Sequence, residues 1–354
     1  MMAPRNYHPV VDWLKVLGIV LILLGHLAGG YTNHLAPPVY PKQLGVAFFI
    51  FALGYSLSME TRARREVVFN RLFEVFLWGL AIAALFTLQA YVSRGTLALS
   101  NYLPFLLGGN LFLNNFPANP TTWYIGTYIH LLLLWCLARH LRISWPLLAI
   151  VLALEIACRY LLADRAGLFV AYMSLTNWIT VLAAGVRAGQ NDWSPRQPVA
   201  LVLAGAIVFG AAEYYAIWPM IAERSFPFMI TSARSSDLAL LATSCLVSLQ
   251  YLGWTGLTCL LFWKVAPPRW VRFVARNTLV IFIAHMPVFY WLDPPLQSLG
   301  LTSGYRAVIE LAVCLPGLAL VSEIVHRAAP IRRWRDALRA ALVMRPPQPA
   351  DLTS

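Results

Sequence analysis

The chain is laid out as long apolar runs separated by short polar punctuation. A membrane helix needs about 20 mainly apolar residues, and runs near that size occupy 10–28, 44–59, 69–91, 123–141, 145–162, 175–188, 199–217, 238–263, 270–291 and 305–326. These runs are continuous, whereas the strands of a membrane barrel alternate apolar and polar residues over short segments. Backbone polar groups in hydrocarbon must find partners within their own segment. The pattern therefore predicts an all-α polytopic integral membrane protein with about ten transmembrane helices. The second and sixth runs are short and would need snorkelling ends or a locally thinned bilayer. Trp and Tyr gather near the ends of many runs, as interfacial belts require. Residues 100–122 break the rhythm with three prolines, two adjacent glycines and five asparagines. They read either as a plain connection or as a lid or re-entrant segment over a substrate site.

Composition supports the same solvent. Of the 354 residues, 59% are hydrophobic and only 12% charged, against roughly 25% charged in ordinary soluble domains. The net charge of +12 is not a nucleic-acid signal, because the basic residues are dispersed over short loops. Nineteen Lys and Arg fall on one set of alternate loops and seven on the other, with Lys15 inside the first run. That asymmetry, with an even number of spans, predicts that both termini are cytoplasmic. The basic, Pro-rich stretch 327–354 is expected to be a cytoplasmic tail, a surface helix followed by disorder, attached to a membrane domain spanning 1–326. The first run resembles a signal peptide in length, but Lys15, His26 and nine further runs argue that it is retained. Cys136, Cys158, Cys245, Cys259 and Cys314 all lie in apolar runs without metal-knuckle spacing and read as packing residues. No metal site is expected.

Ionisable groups at membrane depth are costly and are functional candidates for that reason. The first run carries Asp12, Lys15 and His26. Eleven residues of helix place Lys15 and His26 about 20° apart on one face and roughly 16 Å apart along the axis. Asp12 falls within about 60° of that face. Snorkelling of Lys15 beside Asp12 and hydrogen-bonded packing of His26 are the plainer readings of each residue alone. His285 lies two residues before Pro287, which removes a helix hydrogen bond and frees a carbonyl nearby. Glu155 and Arg159, four apart, are expected to pair locally, as are Arg71 and Glu74. Glu213, Asn177, Gln250 and Glu310 are further buried polar candidates.

The order of these motifs resembles the membrane-bound acyltransferase 3 family. Asp12-x-x-Lys15-x10-His26 is similar to that family's first-helix signature. Phe48–Tyr55 with the basic stretch ending at Arg71 is similar to its second helix and inner loop. Thr122-Trp123-Tyr124-Ile125 is similar to its Trp-aromatic-aliphatic motif, and Asn277 to Pro287 to its late His-bearing helix. Two departures stand out. Lysine occupies the position where arginine is commoner, and a lysine lacks the bidentate fork. The acidic residue found after the Trp motif in some branches is absent. The resemblance implies an O-acyltransferase of the bacterial inner membrane. It would move an acetyl group from cytoplasmic acetyl-CoA to a hydroxyl of a cell-envelope or exported polysaccharide, with no tightly bound cofactor. His26 would then be the general base or, as an alternative, a transiently acylated nucleophile, with Lys15 and Asp12 beside it in the catalytic set. Arg71 and Arg276 would hold the donor phosphates, and His285, Trp123, Tyr124 and Asn277 would complete the substrate sites. The expected partners are acetyl-CoA, the glycan acceptor and membrane lipids. The competing reading is a secondary transporter of a small anion or lipid-linked sugar, against which stands the lack of an inverted repeat. The sequence sets no oligomeric state.

Overall fold

A computed structural model describes residues 8–27, 41–95, 102–113, 123–191, 194–214 and 237–342, and among these no strand occurs. The helices are α1 (Val10–Leu24), α2 (Pro41–Ser58), α3 (Arg64–Arg94), α4 (Tyr102–Leu106), α5 (Asn110–Leu113), α6 (Trp123–Ala138), α7 (Trp145–Arg165), α8 (Leu168–Met173) and α9 (Ile179–Gln190). They continue with α10 (Arg196–Tyr214), α11 (Asp237–Phe262), α12 (Arg269–Ser298), α13 (Ser303–Ala312), α14 (Leu318–Ala328) and α15 (Ile331–Leu342). Among the described residues five helical stretches are long and apolar enough to cross a bilayer: Arg64–Gln89, Trp145–Arg165, Leu240–Phe262, Arg269–Ser298 and Ser303–Ala328. Trp123–Ala138 and Arg196–Ile207 are shorter apolar helices. The protein is thus an all-helical, multi-pass membrane protein.

The outer helices leave their apolar side chains bare. Ile150, Leu154 and Leu161 of α7 and Leu320, Val321 and Ile324 of α14 are exposed, which in water would be a liability and in lipid is the natural surface. The centre is α2, with Phe48, Ile50, Phe51, Ala52 and Tyr55 buried. It packs against α1 on one side and α9 on the other. Small residues make this possible. A Cβ on Gly18 would stand 2.9 Å from the Gly45 carbonyl oxygen, and Gly54 and Gly185 press against the opposite backbones of α9 and α2. Close backbone approach through small residues is how membrane helices maximise dispersion contact where lipid is as apolar as leucine.

Several elements differ from the expected runs. The sixth run, 175–188, starts as a 3-10 turn at Leu175–Asn177 and becomes α9 only at Ile179. The cause is a polar clamp. Glu155, fully buried on α7, takes a hydrogen bond of 2.7 Å from the Thr180 amide in the first turn of α9, where amide donors lack helical partners. Arg159 pairs with Glu155 at 2.7 Å, as the spacing predicted. It also donates to the carbonyls of Ser244 at 2.5 Å and Asn177 at 3.2 Å, while Ser248 donates to Glu155 at 2.6 Å. The local pair is therefore a tertiary joint among α7, α9 and α11. The last run is interrupted by a π-turn at Val313–Gly317 containing Pro316, the kind of bulge a missing amide donor invites. In the broken stretch, α4 and α5 rest on α6, with Phe105 and Asn110 fully buried. Glu213 has no described side chain, and residues 343–354 of the expected tail lie outside the described residues.

Candidate active site

Helix α1 closes in a mixed turn before His26. Leu24 is its last helical residue, yet Gly25 and Leu27 still donate to the carbonyls of Leu21 and Leu23 at 3.0 Å each. The His26 amide itself turns back to the Leu23 carbonyl at 3.0 Å, three residues away, so a tighter turn than the α pitch sets His26 at the end of α1 remote from Lys15. The start of α1 is anchored by Trp13, whose indole donates to the Val265 carbonyl at 3.0 Å and packs on Phe262 at 4.5 Å between ring centroids.

At the Lys15 end lies a cavity of about 530 Å³. Its wall carries the five cations Lys15, Arg62, Arg71, Arg276 and Arg335 against the two carboxylates Glu60 and Glu74. Arg62 grips Glu60 with hydrogen bonds of 2.9 and 2.6 Å. Arg71 donates to the Ser56 hydroxyl at 2.6 Å and to Glu60 at 3.3 Å, not to Glu74 as the spacing suggested. Glu74 instead faces Arg335 at 3.9 Å. Burial pulls the Glu60 carboxyl upward, but the hydrogen bond from Arg62 and the charges of Arg71 and Arg62 outweigh it and hold the group below the usual carboxylate range. Asp12 does not line the cavity; its negative charge and the positive charge of Arg71 both act on Lys15, in opposite senses. The surplus of positive charge in a concave, partly apolar site suits a polyanion.

The far wall of the cavity is aromatic. Phe282 of α12 lines it together with Phe49 and Tyr124. The Phe282 ring stands 4.8 Å from Tyr124 and 6.0 Å from Phe49. Behind it, at 5.9 Å, is His285, and His285 lies 5.2 Å from His26. The two histidines that sequence placed on separate helices therefore form a pair at the end of α1 away from Lys15. Neither is part of the cavity wall, and Phe282 stands between.

His285 is fully buried. Its Nδ1 lies 2.6 Å from the Phe282 carbonyl oxygen. A carbonyl only accepts, so Nδ1 carries the proton and Nε2 of the neutral ring presents a lone pair. Among the described residues that Nε2 has no hydrogen-bond partner. A buried acceptor without a partner is costly to maintain and is suited to a donor brought by a substrate.

The remaining candidates fall elsewhere. Trp123 belongs to an aromatic cluster with Tyr172 at 5.0 Å and Trp178 at 6.5 Å, joined to the cavity only through its neighbour Tyr124. Asn277 donates to the Phe273 carbonyl at 2.8 Å within its own helix and is not part of the cavity wall. Sequence reasoning missed Lys42. A Cβ on Gly25 would stand 2.8 Å from the Lys42 Cβ, and the charge of Lys42 acts on both His26 and His285. Its position at the head of a short run gave it the look of a loop cation, and only the crossing of α1 and α2 brings it to the histidines.

Residues 9–324 match the acyltransferase domain of the acyltransferase 3 family. The chain belongs to that family. Neither a curated protein nor a solved structure matches it. The match covers α1 to most of α14, so the histidine pair and all of the cationic cavity's wall except Arg335 of α15 lie inside the family domain.

Proposed function

We propose that the protein transfers an acetyl group from cytoplasmic acetyl-CoA to a hydroxyl of a cell-envelope or exported polysaccharide, across the bacterial inner membrane. The observation that carries this reading is the two-ended site along α1, a cation-rich cavity at Lys15 and a histidine pair at His26, with Phe282 touching both regions. The charge asymmetry of the loops puts the Lys15 end on the cytoplasmic side in a ten-span arrangement with both termini inside. There the cavity would hold the phosphates of coenzyme A through Lys15, Arg71 and Arg276. The pantetheine arm would run past Phe282 toward the histidines, and the glycan would approach from the other side.

In the reaction, His26 takes the proton of the attacking sugar hydroxyl as its oxygen adds to the thioester carbonyl. The tetrahedral intermediate collapses with cleavage of the C–S bond, and the proton passes to the departing sulfur, leaving an ester and coenzyme A. The free Nε2 of His285 accepts a hydrogen bond from a neighbouring hydroxyl. Vicinal hydroxyls on a sugar ring present two donors, and two imidazoles present two acceptors. Reaction at a membrane-buried centre also keeps water from hydrolysing the thioester.

His26→Ala, assayed in membranes with acetyl-CoA and acceptor glycan, is expected to lose on the order of 10²–10⁴-fold in kcat at unchanged protein abundance. Full glycan acetylation by this variant would refute the proposal. A transport function would instead show unchanged acetyl esters with lost uptake or export.

A second reading exchanges the two histidines, and the pinned Nδ1 of His285 favours it, because an oriented imidazole with a free Nε2 is what a general base requires. His285→Gln separates the two. A positioning role raises the acceptor KM and spares most of kcat, whereas a base role removes kcat at unchanged KM.

A further inference from the structure

The cation cavity is not closed by the family domain alone. Arg335, in its wall, comes from α15, which lies after the matched residues 9–324. Helix α15 is two-faced. Trp334, Leu338 and Leu342 are spaced by four residues on one stripe and are exposed, while Arg335 and Arg339 turn toward α3, Arg339 reaching Glu66 at 3.3 Å. An amphipathic helix with a Trp–Leu face and a basic flank lies in the bilayer interface. Such a helix is held at one depth by lipid and at one azimuth by α3, which keeps Arg335 at the cavity.

The contact that Arg335 makes there is weak. Its guanidinium is 3.9 Å from the Glu74 carboxylate, with both side chains partly exposed at 29% and 44%, and its Nε stands 3.4 Å from Asp336 of its own helix. Solvated ion pairs of this kind contribute little, because water screens both charges. A phosphate offers a guanidinium shorter, paired, charge-assisted hydrogen bonds. We infer that α15 is part of the donor site, with Arg335 exchanging Glu74 for a phosphate group of the acyl donor and Glu74 acting as its competitor. This rests on the donor reading above. It extends the donor site to a residue that the family domain does not contain, and assigns the tail helix a substrate-binding role in place of a purely topological one.

The test is coenzyme A binding to the full-length protein in lipid nanodiscs, followed by calorimetry, with the wild type, Arg335→Ala and Glu74→Gln. Arg335→Ala is expected to weaken binding about tenfold, and Glu74→Gln to tighten it several-fold by freeing the arginine. An ion pair serving only to hold α15 on α3 is broken by either substitution, so a loss of affinity in both variants overturns the inference. Unchanged affinity in Arg335→Ala also overturns it, and leaves the donor reading standing as long as the wild type binds. A wild type that binds no coenzyme A refutes the donor reading itself, and the inference with it.

Discussion

His26, His285 and Lys42 owe their relation to one another to atoms rather than to spacing. His285 is held by a hydrogen bond to its own helix, and His26 by the last turn of α1. Lys42 arrives from α2 by packing beneath Gly25. In the proposed reaction, a cation beside a pair of imidazoles would offset negative charge as a thioester carbonyl becomes a tetrahedral oxyanion. Lys42→Met is therefore expected to lower kcat about 10²-fold or more while leaving the KM for acetyl-CoA near its original value, since the proposed donor cavity lies at the other end of α1. Steady-state kinetics in membrane vesicles would reveal this split, and a change confined to the donor KM would count against it. Of these residues, His26 was legible from its eleven-residue interval from Lys15, and His285 from its place before Pro287. Lys42 was not, because nothing in a linear pattern reports which loop cation a helix crossing will bring inward.

At the scale of elements, the fold is set by two devices. The first is close approach of α1, α2 and α9 through Gly18, Gly45, Gly54 and Gly185. The second is the joint built on Glu155 and Arg159. Spacing predicted the pair but not its reach, since i and i+4 side chains meet on any helix. The Thr180 amide and the Ser244 and Asn177 carbonyls are contributed by packing. Arg159→Met leaves Glu155 buried without its counter-charge and is expected to destabilise the protein by about 3–5 kcal/mol. Thermal unfolding in detergent would register this as a clear loss of Tm. The double variant Glu155→Gln with Arg159→Met should recover a good part of it, because no charge is then stranded.

For the whole molecule, the positive-inside count makes a prediction that stands apart from the chemistry. Reporter fusions at both termini are expected to be protected in intact cells. Single cysteines in the 100–122 segment and at Arg306 are expected to react with an impermeant reagent, and cysteines at Arg62 and Arg327 are not. Labelling of the first group alone, at one end of α3 and of the α13–α14 span, would support the alternation, and labelling of both groups from outside would sink it. The proposed function requires that orientation, which would put the cation-rich cavity on the nucleotide side and the histidine pair toward the proposed glycan acceptor.

The pattern of apolar runs by itself determined the solvent, the helical class and the placing of Lys15 and His26 toward opposite ends of α1. Each of these follows from a local rule: burial of backbone in hydrocarbon, the helical pitch, and the cost of charge in lipid. The partnership of His26 with His285, the arrival of Lys42 and Arg335, and the diversion of Arg71 from Glu74 to Glu60 were decided only by tertiary structure. These contacts join residues far apart in the chain or on crossing helices, where side-chain shape and small-residue packing choose the partner and periodicity carries no information about it.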